Sequence, residues 1–387
     1  MSPKTPLHIG IDAHHLEGSR TGVGRYLENI LRHLIGHTPH RYTLYFKDAL
    51  SNDGFLSKPG VRASVLPKVL GRLSTALFQH VALLRALKQD RPDVFWGPGY
   101  VLPALIKTPS VLTIHDIIYE ARPDWYSWPS VADRFLLRYL GRRSARRAKR
   151  ILVPSAFTKA EIMSHYGLPA SRLKVTPLAA DERFKPSQRR DSQLFKQWRL
   201  GQEYVLFVGA LVNRRCIAEL WSAFEKVAAS RPDLQLVLVG PDYTSPALKI
   251  PERVKALSPG QPWSRYIYKP FADTSTLCQL YSFARATVAL SLYEGFGLPP
   301  LEAMACGSPV VASNTASHPE VVGRAAVLVN NPRNPAEIAS ALEKVLDNPD
   351  LASRLSRAGL KQARQFSWAQ TARGTLEVLE AVGYSKK

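Results

Sequence analysis

Residues 293–307 read YEGFGLPPLEAMACG, and this segment indicates the fold class most clearly. The run just before it, ATVALSL at 286–292, is rich in apolar residues and predicts a buried strand. Residues 301–305 predict a helix that ends before Gly307, and the proline pair ahead of them suits a first helical turn. A strand, a glycine turn and a helix N-terminus in this order direct backbone N–H groups to one point. The stretch therefore predicts an anion site.

Two carboxylates flank this turn, Glu294 and Glu302, with seven residues between them. Glu294 is expected at the carboxyl end of the strand, and Glu302 about one turn into the helix. Either glutamate alone could be a solvated surface residue. Their spacing around a glycine turn instead favours a ligand site. A phosphate bound at the turn would place one carboxylate on each side of a nucleotide sugar.

Short β-rich runs alternate with helical patterns along the whole chain of 387 residues, which is typical of doubly wound parallel sheets. A polar, turn-rich segment at 183–192 is interpreted as a linker between two α/β halves. Such sheets bind ligands at the carboxyl ends of their strands, so a cleft between the halves is expected. The predicted strands are 9–13, 42–46, 93–96, 110–115, 150–154 and 173–178 in the first half, and 204–211, 234–240, 266–269, 286–292, 309–312 and 325–329 in the second.

The net charge of +21 is the unusual feature of the composition and predicts an anionic partner. Part of it recurs every fourth residue, at Arg134, Arg138, Arg142 and Arg146, beside an apolar side formed by residues 135, 136, 139 and 140. On a helix this pattern is either a solvated face or a patch that binds an anionic membrane surface. Nucleic acid is disfavoured, because no nucleic-acid-binding signature accompanies the charge.

Other features of the sequence set limits on location and cofactors. No apolar run approaches the roughly 20 residues of a membrane span, and the first residues lack the apolar core of a signal peptide. Three distant cysteines predict a reducing cytoplasm and neither a disulfide framework nor a zinc site. The chain has no Asp-x-Asp sequence and no metal-ligand spacing, so we expect no metal and no cofactor.

The EGFGLP version of the paired-glutamate motif resembles the retaining glycosyltransferases of family 4, and the resemblance covers nearly the whole chain. It implies the GT-B fold, an α/β architecture of two facing Rossmann-like domains with a cleft between them. In that fold the last helix crosses back to the first domain. The implied domains are residues 1–182 together with the crossover helix at 367–387, which bind the acceptor, and residues 190–366, which bind the nucleotide sugar.

The resemblance also implies roles for the second-domain residues. Glu294, with the backbone N–H groups of Phe296, Gly297 and Leu298, would hold the sugar hydroxyls and the β-phosphate. Glu302 would hydrogen-bond the ribose.

Arg214 and Arg215 follow the strand predicted at 204–211 and suit a diphosphate, because guanidinium groups pair with phosphate oxygens. Related proteins often have Arg-Lys and then Asn here. In this chain Arg215 replaces the lysine and Cys216 the asparagine, which makes the role of Arg215 less secure than that of Glu294.

In the first domain, the His115-Asp116 pair after a strand resembles the family's active-site histidine. A lone histidine there could also be a packed strand end, and Asp116 would orient it or contact the acceptor. Gly22 and Gly24 open the first helix, and the corresponding family loop lies near the donor phosphates.

The expected function is a metal-independent, retaining hexosyltransferase that uses a nucleotide-diphosphate sugar. The chain resembles the bacterial O-antigen and surface-polysaccharide mannosyltransferases, which implies mannose, GDP-mannose as donor and a role in lipopolysaccharide biosynthesis. The acceptor would be a glycan or a lipid-linked glycan, and the protein would lie in the cytoplasm, peripherally on the inner face of the cell membrane. The alternatives are a UDP-sugar epimerase of the same fold, or a non-catalytic adaptor that binds membrane or nucleic acid.

Overall fold

The protein was analysed as a computed structural model that describes residues 5–18, 22–66, 75, 78–126, 130–257 and 264–385. It divides into two compact units, Met1–Leu178 with Trp368–Lys387, and Ala179–Ser367. The segment 183–192, expected as a linker, lies inside the second unit. Its backbone donates from Ser187 to Ser282 Oγ at 2.9 Å and from Asp191 to Gln279 Oε1 at 3.1 Å. The polar composition of the segment is typical of a linker. These side-chain acceptors nevertheless hold its backbone against the second unit.

The first unit is built on a seven-stranded parallel sheet in the order β3-β2-β1-β4-β5-β6-β7. Its strands are β1 His8–Asp12, β2 Arg41–Phe46, β3 Val61–Val65, β4 Val94–Gly97, β5 Ser110–Thr113, β6 Arg150–Val153 and β7 Leu173–Val175. Its α-helices are Gly22–Leu34, Leu83–Asp90, Ile118–Ala121, Val131–Arg147, Ala156–Tyr166 and Trp368–Tyr384. Six strands lie where the sequence predicts them, and the edge strand β3 was not predicted.

The second unit is built on a six-stranded parallel sheet in the order β10-β9-β8-β11-β12-β13. Its strands are β8 Glu203–Val208, β9 Leu234–Val239, β10 Tyr266–Lys269, β11 Ala286–Ala289, β12 Val310–Ser313 and β13 Ala326–Val329. Its α-helices are Ser192–Trp198, Ile217–Ala228, Ile250–Leu257, Thr274–Phe283, Leu298–Ala305, His318–Val322, Pro335–Leu346 and Pro349–Ala363. The expected fold class, two Rossmann-like parallel sheets in an α/β chain, is confirmed.

The core of the second unit lies where the helices cover the sheet. The Trp221 ring stacks on the Tyr266 ring with centroids 4.3 Å apart, and Phe224 contacts Tyr266 edge-on. Both Trp221 and Phe224 are buried, and burial of a large apolar side chain contributes roughly 1.5–3 kcal/mol. Asn334 caps the helix Pro335–Leu346, because its side chain accepts from the N–H of Ala336.

The last helix, Trp368–Tyr384, packs within the first unit. The Thr371 hydroxyl donates to the carbonyl of Pro177, and the Glu380 carboxylate lies 2.9 Å from His40 Nε2. Within the described ranges no helix is both long enough and apolar enough to cross a bilayer.

Each sheet has one point at which the strand order reverses direction. In the first unit this point lies between β1 and β4, and in the second it lies between β8 and β11. Loops leaving the carboxyl ends of two such strands diverge to opposite sides and open a crevice, which is where parallel α/β sheets bind ligands. The residues after β1, β4, β8 and β11 therefore border the crevices where ligands are expected.

Candidate active site

An arginine–glutamate pair occupies the crevice between β8 and β11. Arg215 lies in the short helical turn Asn213–Arg215 after β8, and Glu294 follows β11. The guanidinium nitrogens Nε and Nη2 lie 3.1–3.3 Å from the two carboxylate oxygens of Glu294. The side chains are only 15% and 21% exposed. Two residues 79 positions apart in sequence therefore form one bidentate pair.

Glu294 is held in its charged form by this environment. Burial alone would raise the pKa of the carboxyl group, but the positive charges of Arg215 and then Arg214 outweigh burial and hold the pKa below its ordinary value. Glu294 in turn neutralises a largely buried guanidinium.

Arg214 differs from its neighbour in having an unused donor. Its Nε atom is buried and has no hydrogen-bond partner among the described residues. Its carbonyl oxygen accepts from the N–H of Leu292 at 2.8 Å, which joins the loop after β8 to the loop after β11. A buried guanidinium N–H normally has a partner, so an anionic ligand would satisfy it.

The glycine turn after Glu294 has the backbone shape that the sequence predicts. Gly297 has φ of 103° and precedes the helix Leu298–Ala305, whose first turn carries the proline pair. A Cβ atom at Gly297 would lie 2.8 Å from Cδ2 of His318, so only glycine fits. The Ser317 hydroxyl lies 2.7 Å from the carbonyl oxygens of both Glu294 and Phe296, which fixes the turn.

Two residues of this site were not predicted as site residues. The Nδ1 atom of His318 lies 2.8 Å from Ser313 Oγ, and burial lowers the pKa of the imidazole to about 4, so the ring is neutral. Gly209 ends β8 with φ of 130°, and a Cβ there would lie 2.3 Å from Nη1 of Arg215. His318 appears in sequence only as a His-Pro-Glu triplet, and Gly209 only as a glycine at a strand end. A small pocket is lined by Arg215, Glu294, Gly297 and His318 together.

Glu302 lies in the helix Leu298–Ala305 and is only 8% exposed. The Tyr281 hydroxyl donates to its Oε2 atom at 3.2 Å. The carboxylate is therefore held by the protein itself, and its contact with a ribose stays a prediction.

The predicted first-unit residues lie at a different sheet. His115 follows β5, and its Nε2 donates to the carbonyl of Pro98 at 3.1 Å; burial lowers the pKa of the ring to about 4. The Asp116 carboxylate accepts from the N–H of Ile118 at 3.1 Å. Gly22 and Gly24 lie in the first turn of the helix Gly22–Leu34, and the part of their glycine-rich turn at 19–21 falls outside the described residues. The donor and acceptor roles of these residues stay predictions.

The arginine row on the helix Val131–Arg147 is not one uniform face. Arg138 and Arg142 both donate to the carboxylate of Glu120, which is buried, and Arg138 does so through Nε and Nη2. One protein carboxylate thus offsets half of their combined charge. Arg134 is partly buried, and Arg146 is exposed.

The apolar side that the sequence predicts for this helix is largely exposed. Phe135, Leu136 and Tyr139 are 68%, 50% and 61% exposed. The helix packs instead through small residues: a Cβ at Gly141 would lie 2.7 Å from the Tyr119 hydroxyl, and Ala145 is fully buried. The aromatic side chains consequently point to solvent beside the arginines.

No group of three or more His, Cys, Asp or Glu side chains suited to a metal ion occurs among the residues that the structure describes. The ligand chemistry of the β8/β11 crevice is that of cations and backbone N–H groups, which suits an anion.

Comparisons with known proteins agree with this geometry. A family model described as "Glycosyl transferases group 1" matches residues 189–362, and one described as "Glycosyltransferase Family 4" matches 20–184. The O-antigen chain mannosyltransferase B of Escherichia coli is 33% identical over 73% of this chain and 73% of its own length.

Two solved structures share the fold. The sucrose-phosphate synthase of Thermosynechococcus elongatus is 19% identical, with a TM-score of 0.76 over 98% of this chain and all of its own. HepE of Anabaena, solved with UDP and glucose, is 19% identical, with a TM-score of 0.72 over 97% of this chain and all of its own. At these identities the likeness shows the GT-B fold. Together with the family models and the O-antigen relative, it leads to one conclusion: the chain belongs to the family 4 glycosyltransferases.

Proposed function

We propose that this glycosyltransferase moves mannose from GDP-mannose, with retention of configuration, to a growing glycan or lipid-linked glycan. The observation that carries the proposal is the bidentate Arg215–Glu294 pair in the crevice between β8 and β11, beside the Nε of Arg214, which has no hydrogen-bond partner among the residues that the structure describes. A diphosphate would bind where two guanidinium groups and a helix N-terminus converge.

The chemistry follows from these charges. Breaking the bond between the sugar and the diphosphate leaves negative charge on the leaving phosphate. Arg214 and Arg215 would stabilise that charge, and such preorganised electrostatic stabilisation is usually the largest contribution to catalysis. The Glu294 carboxylate, ionised because the arginines hold its pKa low, would accept hydrogen bonds from sugar hydroxyls. The arginines supply the positive charge, so the proposal includes neither a metal ion nor a cofactor.

The sugar and the acceptor are inferred by relationship. The Escherichia coli relative is named an O-antigen chain mannosyltransferase, which supports mannose and a surface-polysaccharide acceptor. Guanine is proposed as the donor base only because mannose is proposed as the sugar, since the resemblance to mannosyltransferases implies GDP-mannose as the donor.

We also propose peripheral attachment to the inner face of the cell membrane, through the aromatic ridge Phe135, Leu136 and Tyr139. Exposed aromatic and aliphatic side chains beside Arg143 and Arg146 match the interfacial and charged layers of an anionic bilayer. Arg138 and Arg142 share the single carboxylate of Glu120, so they would add less to this attraction than Arg143 and Arg146.

Vesicle binding tests the membrane proposal. Replacing both Phe135 and Tyr139 by serine should remove binding to vesicles that contain acidic phospholipid. Arg146→Gln alone should weaken binding and make it less sensitive to salt, because one screened charge is lost. Leu257→Ser, at an exposed leucine in the second unit, is the matched control and should bind normally. Wild-type protein that ignores acidic vesicles at low salt would contradict the proposal.

The function itself is tested by incubating the protein with a panel of nucleotide sugars and an oligosaccharide acceptor. Release of nucleoside diphosphate with glycosylation of the acceptor is expected, with GDP-mannose the best donor. Interconversion of the sugar without transfer would instead indicate an epimerase. Absence of any turnover, with retained membrane or nucleic-acid binding, would indicate an adaptor.

A further inference from the structure

A second pair of titratable side chains, Asp12 and His14, occupies the crevice of the first unit. Asp12 ends β1, and His14 begins the short helical turn His14–Leu16 that follows. The His14 Nδ1 atom lies 2.6 Å from the Asp12 Oδ1 atom, which also accepts from the backbone N–H of His14 at 3.3 Å. The Asp12 side chain is 4% exposed and that of His14 is 13% exposed.

This pair lies at the reversal point between β1 and β4, which corresponds to the position of Arg215 and Glu294 in the second unit. The loop after β4 reaches the same place, because a Cβ at Gly99 would lie 2.6 Å from His15 Nε2. His115, after β5, donates to Pro98 in that loop. Loops from three neighbouring strands thus converge on the crevice where such a sheet binds its ligand.

The contact with Asp12 fixes which nitrogen of His14 can act. A carboxylate only accepts, so Nδ1 carries the hydrogen and Nε2 of the neutral ring is an acceptor. Nε2 has no hydrogen-bond partner in the part of the chain that the structure describes. The ring is held between His15, whose centroid lies 3.9 Å away, and the edge of Phe78 at 5.4 Å.

We propose that His14, positioned by Asp12, binds the acceptor in the first unit by accepting a hydrogen bond at Nε2 from a sugar hydroxyl. The inference rests on the proposed function, because it needs a glycan acceptor. A sugar hydroxyl suits the site, since it donates one hydrogen bond and carries no charge. Asp12 does not touch the acceptor and is a positioning residue.

Acceptor binding should then depend on pH. Burial lowers the pKa of His14, but the negative charge of Asp12 and its hydrogen bond outweigh burial and raise the pKa above 6.5, with Glu17 adding to the rise and Lys47 opposing it. Neighbouring His15 is neutral, since burial and the charge of His14 lower its pKa to about 4. Protonated His14 has a hydrogen on Nε2 and cannot accept, so the KM for the acceptor should rise as pH falls through the pKa of His14.

The test measures the KM for an oligosaccharide acceptor and for the donor between pH 5.5 and 8.5. In the wild type, acidification should raise the acceptor KM and leave the donor KM unchanged. Asp12→Asn keeps a side-chain oxygen but removes the charge, so the rise should move to lower pH. His14→Gln retains an acceptor oxygen and should give a KM near the wild-type value at high pH that no longer varies with pH.

His14→Phe keeps a ring between His15 and Phe78 but has no acceptor atom, so its acceptor KM should be roughly tenfold higher at pH 8. His33→Gln, on the helix Gly22–Leu34, is the control and should match the wild type. An unchanged acceptor KM in His14→Phe, or tighter acceptor binding on acidification, would overturn the inference while transfer continues. Absence of transfer by the wild type from every nucleotide sugar would overturn the proposed function as well.

Discussion

Replacing Glu294 by glutamine should lower the stability of the second unit as well as its activity. The change keeps the size of the side chain and removes its charge. At a separation of 3.1 Å and an effective dielectric constant near 20, the attraction between Arg215 and Glu294 is about 5 kcal/mol before desolvation is subtracted. Glutamine retains one neutral hydrogen bond, worth about 1 kcal/mol. The difference of about 4 kcal/mol is reduced further by the desolvation that the charged pair no longer costs in the variant. We therefore expect a net loss of about 2 kcal/mol of unfolding free energy, less than the 3–5 kcal/mol typical of a fully buried pair.

The loss is measured by urea unfolding at pH 7.5, followed by hydrogen exchange of peptides from β8 and β11, which reports the second unit alone. With a slope of about 2 kcal/mol per molar urea, the midpoint should fall by about 1 M. Glu252→Gln, at an exposed glutamate of the helix Ile250–Leu257, is the control and should shift little.

The effect of Glu294→Gln should also depend on pH in a defined direction. The arginines lower the folded-state pKa of Glu294 below its unfolded value. The resulting stability is therefore fully present above the unfolded pKa, near 4.5, and is lost as pH falls through the lower folded pKa. The difference between wild type and variant should shrink in that acidic range. Equal stability at pH 7.5, or a difference that acidification leaves unchanged, would refute the assignment of a stabilising charged pair.

Three further predictions concern the same crevice. Gly297→Ala should destabilise the protein by about 1–3 kcal/mol and abolish transfer, because φ of 103° and the closeness of His318 both exclude a side chain. Gly54→Ala is the control in the same unfolding and transfer assays and should be neutral, because the space around Gly54 is open. Glu302→Gln should weaken binding of free nucleoside diphosphate by about 1.5–3 kcal/mol in calorimetry, because the ribose would lose a hydrogen bond to a charged group. Unchanged affinity would contradict the ribose contact and leave Glu302 with a structural role that includes its hydrogen bond from Tyr281. Transfer should survive EDTA, and loss that magnesium or manganese restores would show that the diphosphate needs a metal.

The predicted site at residues 293–307 illustrates what local sequence can reveal. The order strand, glycine turn, prolines and helix is short-range information, and the observed helix begins at Leu298, before the predicted start, because the proline pair fits its first turn. The ion pair of Glu294 with Arg215 was not predictable in the same way. It depends on β8 and β11 becoming neighbours in the sheet, which no local pattern states.

The helix Val131–Arg147 shows why periodicity can mislead. The apolar side of a surface helix usually packs against the core, yet Phe135 and Tyr139 are exposed. The close approach of Tyr119 to Gly141 places the small residues inside, and Glu120 draws two arginines toward the protein. Both partners lie in the helix Ile118–Ala121, so the sequence of Val131–Arg147 alone could not predict the inward face.

The edge strand Val61–Val65 was missed for a different reason. Its sequence, VRASV, is short and partly exposed, and it lacks the continuous apolar character that marked the central strands. The His14–Asp12 contact was also missed, because two residues apart in a turn give no periodic signal.

Transfer of a sugar by the β8/β11 crevice, with retention, can be read from the anomeric configuration of the first product formed from GDP-α-mannose and an oligosaccharide acceptor. The measurement compares the wild type with Glu294→Gln. The wild type should link α-mannose to the acceptor and release one GDP per transfer, and the variant should not form this product. A β-linked product would rule out retention, and equal transfer by both proteins would rule out the role of Glu294.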